Sequence, residues 1–217
     1  MSAETKVVVE PLSVRLRLAV LGLAEDELTG SLLTGASAQA LCTDDHPPIF
    51  GGVSFWAETV RALRVKKQRD GWHRSDARNY STVVNRDSTI QIAIARGNEW
   101  TGRHNAPEGE PSTQHKKGTA THLAIRSNQL LLFDLLPEPT KGDNSEVTPI
   151  TTWVLLHYRE KNAIRCELSQ PVKINAAGFV EEWAERIILT SIDLTPHGIS
   201  VPDDLPVAPD VEVRRRA

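Results

Sequence analysis

Cysteine is nearly missing from this chain. Cys42 and Cys166 are its only two in 217 residues, too few and too far apart for a disulfide framework or a CxxC zinc site. They read as reduced, partly buried thiols. Long apolar runs are missing too. The longest, Leu18 to Leu23, falls far short of the roughly 20 residues that a bilayer-spanning helix needs, so no membrane partner is expected. Met1 to Glu10 reads MSAETKVVVE, without the basic stretch and apolar core of a secretory signal. The expected location is therefore the reducing cytoplasm.

Signature motifs are absent as well. Gly97-Asn98-Glu99-Trp100-Thr101-Gly102 lacks the GK[ST] ending that lets a glycine-rich loop cradle phosphates. There is no GxSxG, HExxH or EF-hand pattern, and no internal repeat or heptad run. No cofactor is expected. A cysteine nucleophile is the weakest option. Cys166 falls on the apolar side of its strand, and Asp44 and Asp45 beside Cys42 would raise a thiol pKa.

What is present suffices for a real core: 40% of residues are hydrophobic and 24% charged. The net charge of −3 hides an acid–base–acid order. Residues 1–60 carry three Lys/Arg against eight Asp/Glu, residues 61–126 thirteen against six, and residues 127–217 nine against fourteen. The middle third is thus net +7 and also holds His73, His104, His115 and His122. Such a chain can close on itself electrostatically or present its basic third to an anionic partner.

Hydrophobic periodicity outlines the elements. Leu12, Val14, Leu16, Leu18 and Val20 alternate with Ser13, Arg15, Arg17 and Ala19, favouring a strand over a helix for 12–23. Gly35 to Cys42 reads as a short helix. Val53 to Lys67 reads as an amphipathic helix through Val53, Trp56, Ala57, Val60 and Leu63. Ser81 to Val84 and Thr89 to Ala95 form a hairpin around Asn85-Arg86-Asp87. Gly97 to Thr121 is a long loop, Gln129 to Leu136 a strand, and Pro137 to Pro149 a linker or surface loop. Thr151 to Arg159 and Ala163 to Ser169 make the clearest hairpin, turning at Glu160-Lys161-Asn162. Phe179 to Leu189 reads as a helix with Val180, Trp183, Ala184, Ile187 and Ile188 as its stripe. The expectation is an α+β domain over 1–195, mainly an antiparallel sheet of hairpins with helices on one face, followed by an extended tail over 196–217.

Three constellations can carry a function. The first is nucleic-acid contact by Arg61, Arg64, Lys66, Lys67, Arg69, Arg74 and Arg78, with Lys116 and Lys117 in the long loop. Cations neutralise phosphates, and the interleaved Trp72 and Tyr80 can stack on bases. The second is protein recognition by Trp100, Arg103 and His104, because Trp and Arg dominate interface hot spots. The third is a metal-dependent hydrolase or nuclease. It would combine loop histidines and Asp76 with Asp134 and Glu167 on predicted strands, although Lys173 lies six residues after Glu167 rather than two. The working reading is a non-enzymatic binding or adaptor protein that contacts nucleic acid or a nucleic-acid-handling complex. The alternatives are the hydrolase and a structural subunit of a larger assembly, with a protein partner or homo-oligomer.

Overall fold

The structure is a computed structural model that describes residues 4–104, 109–132 and 150–195. It opens with strand β1 (Lys6–Val8) and three helices: α1 (Pro11–Val20), α2 (Glu25–Ala40) and α3 (Phe50–Gln68). Strands β2 (His73–Ser75), β3 (Thr82–Val84) and β4 (Ile90–Arg96) follow, with a single 3-10 turn at Ala77–Asn79. Helix α4 (Thr119–Leu132) leads to β5 (Thr151–Arg159), β6 (Ala163–Ile174), β7 (Val180–Ile188) and β8 (Ile192–Asp193). The strands form one mixed sheet in the order β1-β7-β6-β5-β4-β3-β2, with β8 pairing β6. Two pairings are parallel, β1 with β7 and β4 with β5. The rest are antiparallel.

The α+β class and both expected hairpins are present. The placement of helices on one face is corrected. Ile92, Ile94, Trp153, Leu155, Ile164, Cys166 and Leu168 share a core with Val14 and Leu18 of α1, Leu28 and Leu32 of α2, and Phe55 and Leu63 of α3. The alternate residues Val154 and Leu156 pack instead with Ile125 of α4, Val180 and Trp183. Because successive strand residues point to opposite faces, α4 covers the side opposite α1–α3. It is also the crossover that a parallel β4–β5 pair requires.

Three element readings change. Residues 12–23 are helical, not extended. Pro11 starts α1 at its first position, where a missing N–H costs nothing. Gly22, at φ +71, lets Leu23 N donate to Leu18 O and Gly22 N to Ala19 O, a Schellman close. The predicted helix over 179–189 is strand β7. The predicted strand over 129–136 is, as far as Leu132, the end of α4. The reading of Gly35–Cys42 as a separate short helix captures only the end of α2. The linker at 137–149, Asp134 and the tail at 196–217 lie outside the described residues. Among those described, no helix is long and apolar enough to cross a membrane.

Two details hold the layers in register. Gly35 of α2 sits against α3 so closely that a β-carbon there would lie 2.5 Å from Phe55 O and 2.1 Å from Thr59 Oγ1. On the other face, Pro171 interrupts β6 and the register with β7 shifts around it. On its other edge β6 pairs β5 only as far as Val154↔Ser169, and beyond that point the buried Asn128 of α4 bridges the two strands. Its Nδ2 donates to Thr152 O (2.7 Å) and Pro171 O (2.9 Å), and its Oδ1 accepts from Thr152 N (2.7 Å). A side-chain amide thus supplies what two strands cannot give each other.

Candidate functional site

The basic run on α3 is largely turned inward. Lys67 is 2% exposed. Its ammonium donates to Gly22 O (2.9 Å), Glu27 and Asp70 and lies 5.3 Å from the Trp72 ring centroid. Lys67 and the buried Trp72 therefore pin the end of α3 to the α1–α2 junction, and neither offers a surface to phosphate or base. Lys66 Nζ reaches Asp26 O (3.5 Å) and Glu27 O (3.4 Å). Arg64 clasps Asp76 (2.7 Å), Ser75 O and Thr82 O, locking α3 to the β2–β3 edge. The Arg64 and Ser81 bonds hold the Asp76 carboxyl below the usual range. Arg61 is exposed beside Glu58 (2.7 Å). Arg69, Arg74 and Arg78 are exposed around edge strand β2. Arg78 and Asn79 both adopt left-handed backbone, at φ 57 and 58, a conformation that costs energy outside glycine and asparagine. Tyr80 is half-buried, and desolvation pushes its phenol up to about 12 against the opposing effect of its Thr121 bond.

The expected long loop is an ordered strap in its described parts. Asn98 N donates to Ser112 O, Gln114 N to Arg96 O and Lys117 N to Gly178 O. The Trp183 indole donates to Pro111 O (2.8 Å), and Ser112 Oγ to Val180 O (2.7 Å). Trp100 folds back within the strap: a β-carbon added at Gly109 would fall 2.1 Å from its Nε1, and the Arg103 guanidinium lies 5.6 Å over its ring. His104 is exposed. Lys116 is exposed and Lys117 half-buried.

Glu167 is the deepest charge of this face, 0% exposed. Its Oε1 accepts from Ser169 Oγ (2.9 Å) and Arg186 Nε (3.1 Å), and its Oε2 from Gly102 N (2.9 Å) and Arg186 Nη2 (2.5 Å). Arg165 donates to Thr101 O (2.9 Å) and Glu99 O (2.7 Å), and Arg186 to Arg103 O (2.9 Å). Arg165 and Glu167 share one side of β6 by strand alternation, and that side is buried under the strap. A carboxylate with four donors has no lone pair directed at a metal or water. Among the described residues, no three His, Cys, Asp or Glu side chains gather as a metal site. His73, His104, His115 and His122 are each exposed.

Two features escaped the sequence. Helix α1 presents Leu12, Leu16 and Val20 outward at 69%, 61% and 74% exposure, next to half-exposed Val7 and Val9. The i, i+4, i+8 spacing signals such a face, but a strand reading merges it with Val14 and Leu18. The second is at the carboxyl ends of β4 and β5, where Arg96 pairs in register with His157. His157 is buried and stacks on Phe55 (4.3 Å), while its Nδ1 has no hydrogen-bond partner. Compared with known protein families, curated proteins and solved structures, the chain matches none.

Proposed function

We propose that this protein is a binding subunit that associates with a second copy of itself through the outer face of α1. The observation that carries this reading is the exposed stripe Leu12, Leu16 and Val20. Scattered exposed apolar residues are ordinary, but a contiguous file marks a contact surface. Its sizes mirror each other about Leu16. Three residues away on either side stand small Ser13 and Ala19; four away stand branched Leu12 and Val20. Two antiparallel copies related by a two-fold axis place Leu16 against Leu16 and Leu12 against Val20, the isologous arrangement that homodimers favour.

Burying the exposed parts of these three side chains contributes about 1–2 kcal/mol each, so roughly 6–12 kcal/mol for two copies. Association costs about 4–15 kcal/mol. The expected dimer is therefore weak, in the micromolar to millimolar range. Sedimentation equilibrium from about 10 μM to 1 mM should show it, and Leu16→Glu should abolish it. A wild-type chain that stays monomeric at 1 mM removes the proposal.

A second reading, contact with nucleic acid, draws its support from Arg69, Arg74 and Arg78 around the β2 edge. Arg86 stands beside Gly71 at the same corner. Anisotropy of labelled single- and double-stranded DNA and RNA across a salt series tests it. Phosphate contact gives affinity that falls steeply with salt, and charge reversal at Arg74 and Arg78 should flatten the slope.

A further inference from the structure

We propose that β1 pairs antiparallel with β1 of a second copy, so that the two sheets join edge to edge into one. This rests on the α1 homodimer proposed above and names the rest of its interface. β1 is an outermost strand. Among the described residues it pairs only β7, and its other edge offers backbone N–H and C=O groups to a strand that fits. The opposite edge of the sheet is built against such pairing. There β2 is His73-Arg74-Ser75, with Arg69, Arg74 and Arg78 exposed around it, and a second copy would meet like charge.

The sequence of this edge is complementary to itself. Lys6-Val7-Val8-Val9-Glu10 is symmetric about Val8, with opposite charges at its two ends, and Glu10 still has an extended backbone (φ −64, ψ 131). Laid antiparallel about Val8, two copies set Lys6 opposite Glu10, Val7 opposite Val9 and Val8 opposite itself. Opposite charges and β-branched residues are the cross-strand pairs that stabilise antiparallel strands. Lys6 Nζ bridges Glu185, yet its side chain is 65% exposed, which leaves ammonium protons for a second carboxylate.

The two faces of the edge agree with one axis. Val8 packs into the core with α1, so Val7 and Val9 point to the opposite face, where they stand 37% and 38% exposed. A contact through α1 alone leaves this pair uncovered; a joined edge gathers four valines there. On the helix side α1 runs back along β1. Lys6 and Arg17 both meet Glu185 (3.0 and 2.7 Å), and Leu16 and Val20 line one groove with Lys6, Val8 and Val9. A helical rise of about 1.5 Å per residue puts Leu16 about 9 Å from Glu10. A strand rise of about 3.3 Å per residue puts Val8 about 7 Å from it. The two central residues stand nearly level, so a single two-fold axis beside β1, normal to the sheet, serves Val8 and Leu16 alike.

The test uses the full-length wild-type protein at about 1 mM, as an equal mixture of 13C,15N-labelled and unlabelled chains. Isotope-filtered NOE spectra, which report contacts between chains only, should connect Val7 of one copy with Val9 of the other, alongside contacts between Leu12 and Val20. Glu10→Lys sets Lys6 against a second lysine and should weaken the dimer about threefold or more in sedimentation equilibrium. The outcomes separate the two proposals. A dimer with the Leu12–Val20 contacts but none between Val7 and Val9 overturns edge pairing and leaves the α1 reading standing. A folded Glu10→Lys chain that dimerises as tightly as wild type does the same. Val7–Val9 contacts without those of α1 support the joined edge and remove the helix stripe from the interface. A chain that stays monomeric overturns both.

Discussion

Replacing Asn128 by alanine tests how the far face of the sheet is held. Asn128 makes three hydrogen bonds of 2.7–2.9 Å, all to backbone atoms of Thr152 and Pro171. Their removal leaves one N–H and two carbonyls in a buried place. A net hydrogen bond is worth about 1 kcal/mol, and an orphaned buried group costs roughly 1–3 kcal/mol. Allowing for partial relaxation, Asn128→Ala should cost about 3–4 kcal/mol, a large share of the stability of an ordinary domain. Asn128→Asp keeps the volume and the acceptor for Thr152 N, but turns the donor towards two carbonyls into an acceptor. At neutral pH it should cost more than alanine, and its penalty should shrink as acid protonates the carboxyl. Urea unfolding followed by fluorescence, at pH 7 and pH 4.5, measures both. A loss below 1 kcal/mol for Asn128→Ala, or an Asp variant as stable as wild type at pH 7, refutes the claim that this amide replaces missing ladder bonds.

Gly35→Ala should destabilise by about 1–3 kcal/mol despite alanine's better helix propensity, since its β-carbon would meet Phe55 O and Thr59 Oγ1. Gly52→Ala, where nothing lies within 4 Å, should be neutral or slightly stabilising in the same denaturation assay. With a thiol reagent at pH 8, half-buried Cys42 should react in the native state. Cys166, buried and pushed up to about 12 by burial and then by Glu25 and Glu167, should react only on unfolding; two fast thiols would contradict this. His157 is held near 3 when folded but titrates near 6.5 when unfolded, so the unfolded chain binds the extra proton in between. Stability should therefore fall as pH drops through 6.5, by about 2 kcal/mol between pH 7.5 and pH 5. Urea unfolding of His157→Phe should lose that slope.

The hairpins were legible because their strands obey period two around short polar turns. The elements that misled did so for specific reasons. In α1, both faces are apolar: Val14 and Leu18 pack inward while Leu12, Leu16 and Val20 face outward, and two interleaved stripes mimic alternation. In β7, the shifts opposite Gln170, Pro171 and Lys173 put Val180 and Trp183 into the same cluster. That three-residue spacing belongs to a helix. Of the candidate sites, the basic run was visible, but one of the two carboxylates that neutralise Lys67 belongs to Glu27, forty residues away. Charge along a chain does not report such pairings. Trp100 was equally visible, yet its resting place against Gly109 depends on the strap's hydrogen bonds. Arg96 and His157 had no signature, because their neighbourhood exists only once two distant strands align.

The sheet's outermost strand has a consequence for synthesis. Lys6–Val8 lies beside Glu185–Ile187, so β1 pairs with a strand that leaves the ribosome long after it. Until β7 emerges, Val8 lacks its place in the core and Lys6 lacks Glu185. Helices α1–α3 and the β2–β4 meander rely on shorter separations and can assemble earlier. Completion is thus delayed, with β1 docking only after β7 has formed. A restraint on residues 4–9 that keeps β1 undocked should leave the β7 edge open to pair with another molecule.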